Sequence, residues 1–172
     1  PFVNSDWLPT LLELAGATPA TRELDGVSQA QLLRTGAPSS SRPFYWHLPH
    51  YTNQGSRPAG AMRDGKWKLV EHYDDERVEL FDLDADVGER RDLSASDPAR
   101  AAAMRTQLRS WRASVGAQEN TPNPTVDQNL YRQLYVDFDP TKFDPLRADD
   151  AGWTAVGSWR ERMNAAVKRP PQ

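Results

Sequence analysis

Three short segments in which apolar and polar residues alternate limit the folds open to this chain. They cover residues 59–64, 66–73 and 77–83. An Asp-Gly pair at 64–65 is a strong signal for a two-residue turn between the first two segments. Alternation places Trp67 and Leu69 on one face of their strand, and Val78 and Leu80 share a face of the next. The pattern therefore predicts an antiparallel sheet with one apolar face.

A long amphipathic helix is predicted after this sheet. Asp97 can accept a hydrogen bond from the first turn, Pro98 suits the first helical position, and Gly116 suits the end. The apolar stripe follows spacings of three and four: Ala101, Met104, Leu108, Trp111 and Val115. Such a stripe is typical of core packing. The predicted fold class is α+β, with a small antiparallel sheet packed on a long helix.

Two shorter helices are predicted before the sheet. A Ser-Asp pair at 5–6 can cap the first helix, which ends at Gly16. The apolar face of this helix consists of Leu8, Leu11, Leu12 and Ala15. The second helix covers 27–34 and ends at Gly36, and a turn-rich link at 18–26 joins the two helices.

The remaining segments have weaker patterns. The aromatic segment 43–48 is bounded by prolines and is predicted as a further strand. Beyond the long helix the periodicity fades, and 120–124 has the composition of an extended linker. A last helix is predicted over 153–167, with Trp159 and Met163 on one side. We therefore expect the sheet and helix to be followed by an irregular tail.

The composition excludes several classes of protein. The 21 Lys and Arg against 24 Asp and Glu give a net charge of −3, so the chain has no general attraction for nucleic acid. No run approaches the ~18 apolar residues that a membrane-spanning helix needs. The absence of cysteine excludes disulfides, thiolate metal sites and a thiol nucleophile. Because the sequence opens with Pro-Phe-Val and not Met, we expect it to be a piece of a longer protein.

Two of the three histidines, His47 and His50, lie in a segment rich in aromatic residues. Together with Trp46, Tyr51 and Arg57 they suit an anionic, sugar-like or aromatic ligand, bound by stacking and charge-assisted hydrogen bonds. Their spacing of three, interrupted by proline, does not suit a zinc pair. The alternative interpretation is a packed sheet edge whose histidines are satisfied within the protein. These five residues are the candidate substrate-binding site.

A run of alternating carboxylates, Asp82, Asp84 and Asp86, imitates the start of a calcium-binding loop. Val87 occupies the position that needs glycine, and Leu93 occupies the position of the bidentate glutamate. We therefore predict a solvated turn and no metal site. No nucleophile elbow or phosphate-binding glycine loop is present either, so no catalytic residue is predicted in this chain.

Three stretches, in this order and spacing, together resemble the C-terminal part of the sulfatase family. They are 6–16 (DWLPTLLELAG) with 24–28 (LDGVS), 42–47 (RPFYWH) with 61–69 (AMRDGKWKL), and 79–89 (ELFDLDADVGE) with 92–93 (DL). The resemblance covers about residues 5–118. Val87 stands where the family commonly has proline, and Asp92 stands where asparagine is common. The tail from Glu119 matches less clearly.

The resemblance implies a parent protein of the alkaline-phosphatase superfamily, with an α/β catalytic domain followed by a smaller subdomain. Residues 1–36 would then be the end of the catalytic domain, 37–118 the C-terminal subdomain, and 119–172 an extended tail with a candidate terminal helix. Family members hydrolyse sulfate esters with a formylglycine and calcium, and both are expected in the missing catalytic domain. We expect the isolated chain to be inactive and to contribute packing and substrate recognition.

Three functions remain open at this stage. They are the C-terminal part of a bacterial-type sulfatase, a non-catalytic binding module, and the C-terminal part of a phosphate or phosphonate ester hydrolase of the same superfamily. The pairing of 64–69 (DGKWKL) with 79–83 (ELFDL) favours the first over the third.

The resemblance also implies the partners of the chain. They are the missing N-terminal catalytic domain of the same protein and a sulfated carbohydrate or aryl sulfate substrate, with no nucleic acid and no membrane. The apolar face at Leu8, Leu11 and Leu12 would be uncovered in an isolated chain, so we expect self-association there. Family members are often periplasmic or secreted, and the resemblance implies such a location for the parent protein.

Overall fold

The computed structural model describes residues 2–18, 24–37 and 42–167. It divides into two compact units, Pro1–Pro43 and Phe44–Gln172. The predicted link at 18–26 lies largely outside the described residues. Among the described helices, none combines the length and apolarity that crossing a bilayer requires.

The first unit contains two short helices, as predicted. A 3-10 turn, Asn4–Asp6, leads into α1 (Trp7–Leu14), and α2 follows at Ala30–Thr35. The backbone turns left-handed after each helix, at Gly16 (φ 64°) and Gly36 (φ 74°), which confirms both predicted stops.

The predicted cap of α1 is wrong in one respect. The side chain of Asp6 does not bond the first N–H groups of the helix. Because the 3-10 turn precedes α1, Asp6 already has helical backbone angles, and its buried carboxylate instead accepts from the N–H of Val3 (3.1 Å) and the N–H of Val27 (3.0 Å). The Arg42 guanidinium also donates to it. Asp6 therefore ties together three segments of this unit.

The second unit begins with a four-stranded antiparallel meander, in the order β1-β2-β3-β4. The strands are β1 (Phe44–Leu48), β2 (Ala59–Asp64), β3 (Trp67–His72) and β4 (Val78–Asp82). All four were predicted. Asp64 pairs with Trp67, so the two-residue loop is 65–66, one residue later than predicted, with Gly65 at a φ of 56°.

The long helix α3 (Pro98–Ser114) packs on one face of this sheet. Asp97 accepts a hydrogen bond from the N–H of Arg100 (3.1 Å), which confirms the predicted cap. The core of the unit joins sheet and helix: Met62, Leu69, Leu80, Ala101, Met104 and Leu108. The ring of Trp111 stacks on that of Tyr45, with centroids 4.8 Å apart. Val115 was wrongly assigned to the stripe, because α3 ends one residue earlier and this side chain is 56% exposed.

The tail contains more regular structure than the sequence indicated. The helix α4 (Gln128–Tyr135) was not predicted, and α5 (Asp150–Val167) begins three residues before its predicted start. Trp159 and Met163 are buried on one side of α5, as predicted, and they form a small core with Leu134 of α4. The indole Nε1 of Trp159 donates to the carbonyl of Leu134 (2.9 Å). The two tail helices therefore pack on each other.

Candidate functional site

The loop 49–58, which joins β1 to β2, carries three of the five predicted site residues. Two of them meet at Asp74, which follows β3. Its carboxylate accepts from the hydroxyl of Tyr51 (2.9 Å) and from Nε and Nη2 of Arg57 (2.7 and 2.8 Å). The hydroxyl of Tyr131, in α4, donates to the same carboxylate (3.1 Å). We call these four residues the Asp74 cluster.

The groups of the Asp74 cluster satisfy one another. Burial alone would raise the pKa of Asp74, but the hydrogen bonds from Arg57 and Tyr51 outweigh it and hold the pKa below its ordinary value. The bond to Asp74 raises the pKa of Arg57, and burial together with the carboxylate raises the pKa of Tyr51. At neutral pH the acid is ionised, the guanidinium is charged and the hydroxyl is protonated. Tyr51 and Arg57 are therefore suited to holding the loop.

His47 lies on the face of the sheet that packs on α3, and both of its ring nitrogens have partners. Nε2 is 2.7 Å from the carbonyl of Gln118, and Nδ1 is 2.8 Å from the hydroxyl of Tyr73. Because a carbonyl only accepts, Nε2 carries a proton and donates, and in the neutral ring Nδ1 accepts from Tyr73. Burial raises the pKa of Tyr73 to about 12, so this hydroxyl keeps its proton. The ring of His47 joins β1 to the segment after α3.

The other two predicted site residues are more exposed. Trp46 follows Tyr45 and precedes His47 in β1, so its side chain lies on the face away from α3, where it is 48% exposed. His50 is exposed in the loop. The structure thus unites Tyr51 with Arg57, and it separates Trp46 from His47 because neighbours on a strand point to opposite faces.

A second cluster of charges was missed by the sequence analysis. Glu71, only 2% exposed, accepts from Arg105 (2.8 Å), Arg109 (2.6 Å) and Arg112 (3.5 Å) of α3. Burial alone would raise the pKa of Glu71, but the bonds from Arg109 and Arg105 outweigh it and lower the pKa. The helical spacing of the three arginines was a signal that they share one face. We call these four residues the Glu71 cluster.

A groove of about 370 Å³ lies beside the Glu71 cluster. Its charged walls carry both signs: Glu71, Glu76 and Glu119 stand against Arg109 and Arg112. Since Arg112 also bonds Glu119, these positive and negative charges largely neutralise one another. The groove therefore has no strong preference for an anion.

The carboxylates that imitate a calcium loop bind groups of the protein. Asp82 pairs with the Nζ of Lys66 (2.7 Å) and accepts from the N–H of Asp84 (3.1 Å). Asp86 accepts from the N–H groups of residues 90–91 (2.7 and 2.8 Å). Across residues 2–18, 24–37 and 42–167, no group of three or more His, Cys, Asp or Glu could hold a metal ion. The residues present thus do not fit a calcium ion.

Comparison with known proteins gives one family match. Residues 2–114 match the family described as N-sulphoglucosamine sulphohydrolase, C-terminal. The matched range ends at the last residue of α3, so the tail helices lie beyond it.

Two curated relatives are each 33% identical to the chain. One is a sulfatase of Formosa agariphila; the alignment is 152 positions long and covers 80% of this chain and 27% of the relative. The other is a delta 4,5-hexuronate-2-O-sulfatase of Bacteroides thetaiotaomicron; the alignment is 139 positions long and covers 78% of this chain and 26% of the relative. The chain therefore spans about a quarter of the length of these relatives.

Among solved structures, the chain is similar to a 2-O GAG sulfatase. The TM-score is 0.51 at 26% sequence identity, and the match covers 81% of this chain and 28% of that chain.

Proposed function

The chain belongs to the sulfatase family, within the alkaline-phosphatase superfamily, as its C-terminal region, and on this premise we propose that it serves a sulfatase that acts on a sulfated carbohydrate. The observation that carries the proposal is the match of residues 2–114 to the C-terminal part of a sulfohydrolase family. Both curated relatives are sulfatases, and one is described as acting on a 2-O-sulfated hexuronate. A sulfate ester on a hexuronate is therefore the first substrate to test.

The bond-breaking groups lie in the catalytic domain that precedes this region in the parent protein. In support, the described residues contain no cluster of side chains that could ligate calcium. The apolar face of α1 is the surface that contacts this domain. Its Leu8 and Leu11 are 55% and 56% exposed, and burying the exposed half of each side chain against a partner stabilises by about 1 kcal/mol. The isolated chain is then inactive and self-associates through the same face.

Substrate recognition is the contribution of the segment 46–51 together with Arg57. The exposure of His50 and Trp46 supports direct contact of these side chains with the carbohydrate. Tyr51 and Arg57 hold the loop through Asp74. His47 supports the start of the loop, because both of its ring nitrogens are bonded within the subdomain.

The test uses the full-length protein and three esters: a 2-O-sulfated delta 4,5-hexuronate disaccharide, a small aryl sulfate and a phosphonate monoester. We expect sulfate release from the disaccharide. His50→Ala should lower kcat/KM for the disaccharide about tenfold, the effect of losing one charge-assisted hydrogen bond, and should change the value for the aryl sulfate less than about twofold. Equal losses on both sulfate esters would contradict a contact with the carbohydrate.

His47→Ala is the matched histidine variant. Because His47 is bonded within the subdomain, its replacement should lower Tm while changing the ratio of kcat/KM between the two sulfate esters little. Cleavage of the phosphonate alone would identify a phosphonate ester hydrolase. Absence of hydrolysis on all three esters would favour a non-catalytic binding module.

A further inference from the structure

The loop 49–58 is bonded to the tail at two backbone positions. The hydroxyl of Tyr135, in α4, lies 3.4 Å from the carbonyl of Thr52, to which it donates. Nη1 of Arg160, in α5, donates to the carbonyl of Asn53 (3.2 Å). The two carbonyls belong to adjacent residues at the tip of the loop, so both tail helices bond this part of the loop.

Aromatic rings form a further contact between the loop and α4. The ring of Tyr51 lies 4.7 Å from that of Tyr135 and 6.0 Å from that of Tyr131, edge-on to the latter. Ring pairs of this geometry gain electrostatic attraction in addition to the area that they bury. Tyr131 also donates its hydroxyl to Asp74, so α4 contacts both the loop and the residue that anchors it.

The tail also packs directly on the backbone of the loop at Gly55. A Cβ there would lie 2.8 Å from the ring of Trp159 and 2.9 Å from Cγ of Pro140. Gly55 has a φ of 90°, which side chains other than that of glycine rarely adopt. Because Trp159 is itself fixed in the core of the tail, the loop rests on a rigid support.

Hydrogen bonds within the loop 49–58 give it a defined conformation. The N–H of Gly55 donates to the carbonyl of Thr52 (3.1 Å), and the N–H of Thr52 donates to the carbonyl of Ser56 (3.0 Å). The hydroxyl of Thr52 accepts from the N–H of Ser56 (3.1 Å). These bonds close a compact turn, and His50 lies just before it.

We propose that α4 and α5 hold the loop 49–58 in the conformation that presents His50 to the sulfated carbohydrate. Tyr135, Trp159 and Arg160 are then positioning residues, because they contact the loop and do not contact the substrate. This inference rests on the proposed function of the loop. It assigns a task to the tail, which lies beyond the part of the chain matched to the family.

Two variants of the full-length protein test the proposal. Arg160→Met removes the bond to Asn53 from an exposed residue, so the fold should survive. Gly55→Ala introduces a Cβ against Trp159. In both variants we expect amide hydrogen exchange in 49–58 to become about tenfold faster. KM for the 2-O-sulfated disaccharide should rise about three- to tenfold with kcat changed less than twofold, and KM for the aryl sulfate should not change.

Each variant has a matched control. Arg162→Met alters an exposed arginine two positions along α5, and Arg160→Lys keeps a donor at the original position. Gly65→Ala places a Cβ at another turn glycine of positive φ, where no atom lies within 4 Å. We expect wild-type loop exchange and KM in Arg162→Met and in Gly65→Ala, and recovery toward wild type in Arg160→Lys.

The outcomes distinguish a failure of the proposal about the tail from a failure of the proposed function. Unchanged loop exchange in both test variants would overturn the proposal, and so would faster exchange with an unchanged KM for the disaccharide. If the wild-type protein releases no sulfate from either sulfate ester, the proposed function fails, and the presentation of His50 to a substrate fails with it. In that case the exchange measurement still decides whether the tail holds the loop.

Discussion

The Glu71 cluster and the Asp74 cluster use the same chemistry three residues apart in the chain, but they connect different parts of the molecule. Glu71 lies within β3 and receives its three arginines from one helix, α3. Asp74 follows β3 and receives donors from two distant segments: Tyr51 and Arg57 come from the loop 49–58, and a tyrosine comes from α4.

The difference shows that the position of a carboxylate relative to its strand decides what an arginine–carboxylate pair stabilises. Inside the strand, Glu71 faces α3 and ties together two elements that already share an apolar core. Beyond the strand end, Asp74 ties the loop 49–58 to α4, and neither segment contributes a residue to the core of the sheet and α3. The first cluster therefore supports the packing of the sheet on α3, and the second supports the conformation of a loop.

The largest effect is expected from Glu71→Gln. The variant leaves three arginines on one helix face without their carboxylate, so the free energy of unfolding should fall by about 3 kcal/mol, somewhat below a fully buried pair because Arg109 is half exposed. Urea denaturation of the full-length protein, followed by tryptophan fluorescence, measures the loss. The matched control is Glu76→Gln, since Glu76 contacts Arg105 but is 79% exposed, and should cost less than about 0.5 kcal/mol.

A smaller effect on stability is expected from Asp74→Asn, about 1–2 kcal/mol, because Arg57 keeps its bond to Asp75 (2.7 Å). The larger consequence should be local, with faster amide hydrogen exchange in 49–58 than in the sheet. Asp75→Asn is the matched control, because Asp75 bonds Arg57 but neither tyrosine of the Asp74 cluster. If Asp74→Asn loosened the sheet and the loop equally, the distinction between the two clusters would be lost.

The smallest effects on stability are expected from replacing one of two arginines of the Glu71 cluster. The side chain of Arg112 is 11% exposed and its guanidinium lies over the ring of Tyr73, 4.5 Å from the centroid, whereas Arg109 is 50% exposed. Arg112→Gln should therefore lower the free energy of unfolding by about 1 kcal/mol, and Arg109→Gln by less than about 0.5 kcal/mol. Equal losses of unfolding free energy in the two variants would show that the burial of the arginine does not decide how strongly each ion pair stabilises the protein.

The sheet and the long helix could be predicted because their signals are local. Alternation assigned Leu69 and Leu80 to the apolar face, and the Asp97 cap marked the start of α3, since both depend on residues a few positions apart. The helix α4 was missed because its apolar residues are few and lie in a segment rich in polar residues. Some of its contacts come from Tyr131 and Tyr135, and the polar ends of tyrosines make them weak markers of a buried face.

The candidate site was predicted only in part. Its residues were chosen from their closeness in sequence, and Tyr51 and Arg57 do share a partner in the structure. Trp46 and His47 do not lie on the same face, because adjacent residues of a strand alternate. The assignment of these side chains to a substrate stays a prediction.

The sequence alone determined the antiparallel sheet, the helix that packs on it and the family to which the chain belongs, because periodicity, turns and caps are encoded within short stretches. Only the tertiary structure decided which distant groups meet. The hydroxyl of Tyr131 reaches Asp74 across 57 positions, and Arg160 reaches Asn53 across 107. Such polar partners leave no periodic pattern in the sequence, because a hydrogen bond needs only one donor and one acceptor. Whether the two groups meet depends on how the intervening chain folds back.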